Sequence, residues 1–281
     1  MNAPRVLILG ASGRLGGMLR RHWIEAHAHP VWQFRSPPSR TVSRGSVHVC
    51  DPLVNLPDCG PVDAVVSLAG IVPGKTASLS LNTELGLAAI DCAGMLGARH
   101  VFLSSSAAVY GAAASPLHED GTADPVSAYG QAKLAMEEAA RLRAARYGIA
   151  VTALRIGNVA GADALLGQNR NRYRLDQFVD GRGPVRSYIG PREFARLLQA
   201  LSCLACRGAT LPTRLNLALP GCVAMADLCR AAATPFDWHP APAHALQSVV
   251  LDVARLAALV PLPWADPAEI VADWLADRRL A

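Results

Sequence analysis

Three glycines that follow a short apolar run constrain the fold of this chain more than any other feature. Residues 6–9, Val-Leu-Ile-Leu, read as a buried strand, and an amphipathic stretch begins directly after them. In a turn from a strand into a helix, the first glycine permits the tight bend, the next lets the backbone approach a pyrophosphate, and the last lets the helix pack closely on the sheet. The free N–H groups at the start of such a helix bind phosphate. The turn residues that we expect to contact a dinucleotide are Gly10, Ser12, Gly13, Arg14, Leu15 and Gly16.

Short apolar runs alternate with longer amphipathic stretches as far as about residue 160. The apolar runs, which predict strands, cover residues 5–10, 31–35, 47–50, 63–68, 100–104 and 149–155. The amphipathic stretches, which predict helices, cover residues 14–28, 79–96 and 127–147. Ser127 is a candidate N-cap, and Gly97 and Gly148 are candidate stops. Strands that alternate with helices indicate a parallel sheet covered on both faces.

Beyond residue 160 this alternation weakens. Residues 161–190 read as loop with short elements, and 234–244, which hold three prolines, read as a connector. Helices are predicted at 191–204, 225–233, 251–260 and 267–280, and a strand at 214–219. The chain is therefore expected to be α/β, a Rossmann-type doubly wound parallel sheet with a smaller, mostly helical C-terminal substrate region. Residues 1–160, with returning segments near 191–219, would form the dinucleotide-binding domain, and 161–190 and 220–281 the substrate-binding region.

Composition and charge exclude several classes of protein. With 51% hydrophobic residues the chain is not disordered, and no apolar run approaches the ~20 residues of a membrane helix. Seven cysteines without framework spacing, and no cleavable signal pattern, lead us to expect reduced thiols in the cytoplasm. Cys203 and Cys206 have the spacing of metal ligands but no second pair, so we expect no metal. The net charge of +5 suits an anionic small molecule, whereas scattered arginines without interleaved aromatics argue against nucleic acid.

The end of the second predicted strand bears on the choice of cofactor. An enzyme that prefers NAD usually offers a carboxylate there to the ribose 2′-hydroxyl. This chain has Arg35 at that position, with Arg14 in the glycine turn and Arg40 a little further on. Cations suit a 2′-phosphate, so the sequence favours NADP over NAD.

Tyr129 and Lys133 form the candidate catalytic pair. They lie four residues apart in a predicted helix, so their side chains share a face. A nearby ammonium favours the phenolate and lowers the pKa of a tyrosine, which would let Tyr129 exchange a proton with a substrate oxygen. Lys133 is one of only two lysines, with Lys75, in a chain that otherwise uses arginine. Ser106, at the end of a serine-rich strand, could offer its hydroxyl to the same oxygen.

With these motifs in this order, the chain resembles the extended short-chain dehydrogenase/reductase superfamily, in the NAD-dependent epimerase/dehydratase group typified by UDP-glucose 4-epimerase. The matching segments are the glycine turn, Asp51, and residues 67–70, 102–111, 127–133, 154–161 and 186–189. The resemblance implies a Rossmann-type fold and hydride transfer between a nicotinamide and a secondary alcohol or carbonyl.

The resemblance also implies roles for individual residues. Tyr129 would be the general acid/base, Lys133 would hold the nicotinamide ribose, and Ser106 would bind the reacting oxygen. Asn158 would touch the substrate, and Arg186 would grip a nucleotide diphosphate. The cofactor contacts expected outside the glycine turn are Arg35, Asp51, Leu68, Ala69, Gly70, Asn82, Ser104 and Lys133.

The sequence leaves several activities open. Ser106 is followed by Ala107 and Ala108 instead of the acidic pair of the 4,6-dehydratases, which disfavours dehydration. A sugar-nucleotide epimerase and an NADPH-dependent carbonyl reductase acting on a non-nucleotide substrate both remain, as does a non-catalytic NAD(P)-binding sensor or assembly factor. The expected partners are a small-molecule substrate, with a nucleotide sugar among the candidates, and a second copy of the chain. We expect no nucleic acid and no membrane.

Overall fold

The computed structural model describes residues 3–74, 78–168 and 170–281, so Lys75 lies outside the described residues. The strands are β1 (Arg5–Leu9), β2 (His29–Phe34), β3 (Ser46–Val49), β4 (Ala64–Ser67), β5 (His100–Ser106), β6 (Ala150–Ile156), β7 (Asn158–Val159), β8 (Tyr173–Gln177), β9 (Val185–Arg186), β10 (Tyr188–Ile189), β11 (Arg214–Leu217), β12 (Val223–Ala224), β13 (Phe236–Pro240) and β14 (Ser248–Val249). The helices are α1 (Arg14–His22), α2 (Leu81–Leu96), α3 (Ala128–Tyr147), α4 (Pro191–Cys206), α5 (Met225–Ala231), α6 (Ala254–Leu259) and α7 (Pro267–Leu280).

Seven strands form one sheet in the order β11-β6-β5-β4-β1-β2-β3. Every neighbouring pair in it is parallel. The chain starts in the middle at β1, runs outward to β3, and returns to the other side of β1 as β4. The predicted doubly wound parallel sheet is confirmed. In such sheets ligands bind beyond the carboxyl ends of the strands where the strand order reverses, which here is between β1 and β4.

Both faces of the sheet are buried, which explains the continuous apolar runs of its strands. On one face α2 and α3 pack together over residues such as Val65, Val101 and Ile90. On the other face α1 and α4 pack over a second cluster that includes Ile8 and Leu198. This second cluster extends into the C-terminal region, so the two parts of the chain share a core.

The helix ends follow the predicted signals in most places. The Ser127 side chain accepts a hydrogen bond from Gly130 N at 3.1 Å, and α2 and α3 end at Gly97 and Gly148 with φ of 75° and 65°. The first helix is shorter than predicted, because it ends at His22 instead of residue 28. Trp23 adopts an extended conformation, and its buried indole donates to Ala28 O at 2.7 Å.

The C-terminal region carries short strands between its helices. Residues 234–244, predicted to be a connector, contain β13, which pairs in parallel with β8 about sixty residues earlier. Two further small sheets join β12, β9 and β14, and β10 with β7. The connector prediction was wrong because the partner strand, and not a local pattern, makes this segment extended. Within the three described ranges, no helix is both long and apolar enough to cross a bilayer.

Candidate active site

The glycine turn leaves no room for side chains. A Cβ on Gly10, whose φ is +83°, would lie 2.6 Å from Ala69 N. A Cβ on Gly16 would lie 2.7 Å from the Cα of Ala11. Gly13 is the N-cap of α1 and offers no capping side chain. The first N–H groups of α1 therefore stay available at the carboxyl edge of the sheet, where they can hold a phosphate.

Gln33 fixes this turn, and the sequence analysis did not identify it. The side chain is buried in β2. Its Oε1 accepts from Gly10 N at 2.9 Å, and its Nε2 donates to Cys50 O at 2.6 Å. One amide thus joins the glycine turn to the end of β3. A glutamine within an apolar strand was the signal that could have found it, since a buried amide needs several partners.

A cavity of about 140 Å³ lies beside the glycine turn, beyond the ends of β2 and β3. Arg35 and Asp51 both line it, as expected for residues near the adenosine end of a dinucleotide. Arg35 is exposed, and Asp51 Oδ1 accepts from Leu53 N at 3.0 Å. The other predicted cofactor residues that line this cavity are Gly10, Ser12, Gly13, Leu68, Ala69 and Gly70.

A second cavity, of about 380 Å³, adjoins the first, and the two share Gly13, Leu68 and Gly70 in their walls. It brings together residues that are far apart in the sequence. The further predicted site residues that line it are Arg14, Leu15, Ser104, Ser106, Tyr129, Lys133 and Asn158. The predicted catalytic groups and the glycine turn therefore border one continuous crevice.

Lys133 is fixed and buried at the base of the second cavity. Its ammonium donates to Ser104 O at 2.8 Å and lies 5.9 Å from the centre of the Tyr129 ring. The side chain is almost fully buried, and this desolvation lowers the pKa of Lys133 to about 8, whereas the negative charge of Glu137 raises it. The ammonium is thus fixed at the site by a hydrogen bond, and its desolvation favours the neutral amine.

The predicted lowering of the Tyr129 pKa is wrong for the protein by itself. Burial raises the pKa of Tyr129, and a hydrogen bond with the Ser106 side chain only partly opposes this. The physical reason is that removing water from around the phenolate destabilises it by more than one hydrogen bond from a hydroxyl stabilises it. The ammonium of Lys133 donates instead to Ser104 O. Tyr129 therefore rests as the neutral phenol.

The three consecutive serines that end β5 do three different things. The Ser104 carbonyl accepts from Lys133, and the Ser105 hydroxyl donates to Glu137 Oε1 at 2.5 Å. The Ser106 hydroxyl accepts from Ala108 N at 3.2 Å and bonds to Tyr129. Because side chains alternate along a strand, Ser105 points away from its neighbours and into the protein behind the cavity.

Asn82 lies in the interior and supports the cavity wall. Its Oδ1 accepts from Ile71 N at 3.1 Å, and its Nδ2 donates to Ile71 O and Leu79 O, both at 3.0 Å. These bonds fix the segment that follows β4. In the described residues Asn82 holds the wall that Gly70 and Ile71 form, and a direct contact with cofactor stays a prediction.

Arg186 already has three hydrogen-bond partners in the protein. Its Nη1 donates to Val185 O at 2.8 Å and Gln247 O at 3.0 Å, and its Nη2 donates to Leu246 O at 2.8 Å. Burial lowers the pKa of Arg186. The guanidinium joins β9 to the segment before β14, so its predicted contact with a diphosphate stays a prediction.

Asp163 is a cavity residue that the sequence analysis missed. Its carboxylate accepts from Tyr188 Oη at 2.7 Å and from Leu166 N at 3.1 Å, and burial raises its pKa. Tyr188 also bonds to the side chain of Asn158. Asn158 is therefore oriented by the buried Tyr188, which Asp163 holds in turn.

The crevice suits a dinucleotide in shape and in donors. The glycine turn lies between the two cavities, Arg35 and Asp51 line one of them, and Tyr129 and Lys133 line the other. A phenol, a hydroxyl and an ammonium at one point can hold a reacting oxygen and move its proton.

A family model agrees with this assignment. The model described as the NAD dependent epimerase/dehydratase family matches residues 6–181, well over half of the chain. The chain belongs to this family. The resemblance inferred from the motifs is therefore confirmed, and the matched range contains the glycine turn, Ser106, Tyr129, Lys133 and Asn158.

Relatives of the family differ in how much of their length they share with this chain. The curated UDP-glucose 4-epimerase of Azospirillum brasilense is 31% identical over 176 residues, which are 57% of this chain and 51% of that protein. The chain thus spans about half the length of this relative.

Two solved structures share the fold over nearly the whole chain. A UDP-glucose 4-epimerase from Stenotrophomonas maltophila with bound NAD and formylated UDP-arabinopyranose has a TM-score of 0.78 at 19% identity, with 99% of this chain and 98% of that chain covered. An NAD-dependent NDP-hexosamine 5,6-dehydratase involved in tunicamycin biosynthesis has a TM-score of 0.77 at 20% identity, with the same coverage. At these identities the likeness shows the fold alone.

Proposed function

We propose that this chain is an NAD(P)-dependent sugar-nucleotide epimerase or a closely related oxidoreductase that acts at a secondary alcohol or carbonyl. The observation that carries the proposal is the meeting of Tyr129, Ser106 and Lys133 in a cavity continuous with the glycine turn. Family membership supports it, and so do the names of the relatives, which are UDP-sugar and NDP-sugar enzymes.

In this proposal the nicotinamide cofactor, when bound, accepts or donates the hydride. Tyr129 Oη takes the proton from a substrate hydroxyl, or gives one to a carbonyl oxygen. Ser106 Oγ accepts from Ala108 N, and its hydroxyl, which bonds to Tyr129 in the protein by itself, would turn to donate to the same oxygen when substrate binds. Lys133 stabilises the phenolate that forms during the reaction. Because Tyr129 rests as a phenol, it can give its proton to a carbonyl oxygen directly, whereas it must first lose that proton to accept one from a hydroxyl.

The substrate and the phosphorylated form of the cofactor are also proposals. We propose a nucleotide sugar as the substrate, with its sugar beside Asn158 and Asp163. Arg35 is exposed and lines the cavity proposed for the adenosine, where its cation would suit the 2′-phosphate of NADP without excluding NAD. In the proposed division of the chain, residues 1–160 form the dinucleotide-binding domain with returning segments near 191–219, and residues 161–190 and 220–281 form the substrate-binding region.

A second candidate is an NADPH-dependent carbonyl reductase that acts on a non-nucleotide substrate. Two observations favour it over an epimerase. Arg35 stands where a carboxylate would select NAD, and the donors of Arg186 are largely occupied by Val185 O, Leu246 O and Gln247 O. If the diphosphate has no arginine to hold it, a smaller substrate would fill the cavity.

One experiment separates these candidates. Native mass spectrometry of the purified protein identifies any dinucleotide that stays bound, and NMR then follows UDP-glucose and UDP-galactose mixed with the protein and either cofactor. An epimerase interconverts the two sugars with no net change in absorbance at 340 nm, whereas a reductase consumes NADPH with a carbonyl substrate. Failure to bind NAD or NADP at all would refute both candidates.

We also propose a homodimer and a cytoplasmic location. The outer faces of α2 and α3 expose Met95, Leu142 and Tyr147, which a second copy could cover. All seven cysteines are free thiols, as expected in a reducing compartment. Light scattering coupled to size-exclusion chromatography measures the mass of the particle, and a monomer at micromolar concentration would contradict the dimer.

A further inference from the structure

A buried ion pair lies directly behind the catalytic cavity. Glu137 and Arg155 are both almost fully buried, and Arg155 donates through Nη2 to Glu137 Oε2 at 2.9 Å and through Nε to Oε1 at 3.2 Å. Ser105, the middle serine of the strand end, donates to the same Oε1. Three donors from β5 and β6 therefore hold this carboxylate in one orientation.

Glu137 lies one helical turn after Lys133 on α3, on the inward face of the helix. The other groups around the Lys133 ammonium carry no negative charge. They are Ser104 O on β5, the Tyr129 ring on α3, and the segment at Gly70 with Asn82 of α2 behind it. Burial pushes the pKa of Lys133 down and Glu137 is the charge that pushes it up. Arg155, on β6, faces Glu137 from the far side.

We propose that Glu137, oriented by Ser105 and Arg155, is a positioning residue that keeps Lys133 positively charged at the wall of the catalytic cavity. Glu137 touches neither cavity nor substrate, so it acts through Lys133. An isolated ammonium in a dry interior would lose its proton, and an anion fixed one turn away offsets that loss. The consequence for catalysis rests on the proposed function, but the charge of Lys133 can be measured without cofactor or substrate.

The scarcity of lysine makes this measurement direct. With only Lys75 and Lys133 in the chain, protein labelled with ¹³C-lysine gives two side-chain NMR signals, and Lys75→Arg identifies which one belongs to Lys133. Each midpoint is read from a titration between pH 6 and 10. In Glu137→Gln we expect the midpoint of Lys133 to fall by about one pH unit or more, because the amide keeps the shape but removes the charge.

Glu138→Gln is the matched control. Glu138 is the next residue on the same helix, but it is exposed and pairs with Arg141, so its loss should leave the Lys133 midpoint within about 0.2 units. A role in packing alone would give the same midpoint in Glu137→Gln as in the parent protein. An unchanged midpoint in a folded Glu137→Gln protein overturns the proposal.

Removing Glu137 alone leaves the buried cation of Arg155 without its carboxylate partner, which destabilises the fold. The double variant Glu137→Gln with Arg155→Met removes both charges, and such neutral replacements of buried pairs are often tolerated. The same fall in the Lys133 midpoint in the double variant supports the proposal, and no fall overturns it. Near-ultraviolet circular dichroism confirms that each variant is folded before it is titrated.

Discussion

The cofactor half and the C-terminal region of this protein are held together in different ways. In the first half, the functional groups lie at the ends of strands of the parallel sheet or on α3, which packs against it. In the second, short strands depend on partners far along the chain, as β13 depends on β8. Arg186 links separate segments of this region, and Asn216 of β11 ties it to the main sheet. The first kind of structure has local signals in the sequence, whereas the second consists mainly of long-range contacts.

This contrast matters for function because the proposed chemistry and the proposed specificity lie on opposite sides of it. The residues proposed to move the proton, Ser106, Tyr129 and Lys133, lie on β5 and on α3, which packs against the sheet. The groups that would meet the substrate, Asn158 and Asp163, are oriented through Tyr188 of a two-residue strand. Changes to the first region should alter the rate of reaction, and changes to the second should alter stability and substrate choice.

The largest expected effect is on catalysis. Tyr129→Phe removes the proposed acid/base, and general acid–base groups contribute ~10²–10⁴-fold to rates. We expect turnover to fall by about that factor while the affinity for the dinucleotide, measured by calorimetry, stays the same. Tyr147→Phe, at the exposed end of the same helix, is the control and should retain full activity. Turnover that survives in Tyr129→Phe would remove the phenol from the mechanism.

The next effect tests how far the long-range contacts hold the second region. Asn216 is fully buried, accepts from Tyr110 Oη at 2.7 Å and donates to Leu117 O and Asp252 O at 2.8 Å. Asn216→Ala removes three buried hydrogen bonds at once, at a cost of roughly 3 kcal/mol in the free energy of unfolding. Urea denaturation measures it, and the exposed Asn55→Ala should stay within about 0.5 kcal/mol. Equal urea midpoints for Asn216→Ala and Asn55→Ala would show that the long-range contacts of Asn216 do not hold the second region.

Acid should weaken the sheet through His100 at the start of β5. Burial lowers the pKa of His100 to about 4, from about 6.5 in the unfolded chain. Between these values the unfolded state binds more protons, so stability falls as the pH drops from 6.5 to 4, by up to about 3 kcal/mol. Thr152 Oγ1 donates to Pro212 O at 2.7 Å, so His100 Nε2 acts as the donor in its bond to Thr152.

His100→Gln keeps an N–H donor and removes the titration. We expect its stability to depend less on pH in this range, as measured by urea denaturation at several pH values. The exposed His27→Gln should retain the slope of the parent protein. If the stability of His100→Gln changes with pH as much as that of the parent protein, other groups cause the acid sensitivity.

Two adjacent glycines test the local half. A Cβ on Gly16 would meet the backbone of Ala11, whereas a Cβ on Gly17 would meet only the ends of arginine side chains, Arg21 Nη1 at 3.2 Å and Arg20 Nη2 at 3.9 Å. Gly16→Ala should lower the free energy of unfolding by about 1–3 kcal/mol and weaken dinucleotide binding. Gly17→Ala should leave both unchanged, or stabilise the helix by about 0.5–1 kcal/mol. Thermal melts with and without cofactor measure both effects. Equal melting temperatures for Gly16→Ala and Gly17→Ala would contradict the tight packing at Gly16.

The smallest expected effect concerns the cofactor. Arg35→Ala should weaken the binding of NADP about tenfold and leave that of NAD unchanged, because a charged hydrogen bond to the 2′-phosphate is lost. Fluorescence titration with both cofactors measures this ratio. Arg99→Ala is the control, because Arg99 is exposed and directly precedes β5, at the amino ends of the strands. If both cofactors weaken equally in Arg35→Ala, the arginine does not select the phosphate.

Much of the cofactor half could be predicted because its signals are local. The glycine spacing, the Ser127 cap and the stops at Gly97 and Gly148 each act over a few residues. The role of Gln33 was missed because its partners, Gly10 and Cys50, lie 23 and 17 residues away. The strand at β13 was missed for the same reason, since the pattern of its own residues does not indicate an extended conformation.

The sequence by itself determined the order of strands and helices in the cofactor half and the position of the glycine turn, and it singled out Ser106, Tyr129 and Lys133 as candidates, because periodicity and spacing carry that information along the chain. Only the tertiary structure decided the state of those residues. The raised pKa of Tyr129, the burial of Lys133 and the three-donor grip on Glu137 arise where β5, β6 and α3 exclude water together. Desolvation depends on everything that surrounds a group, and those surroundings exist only after the chain has folded.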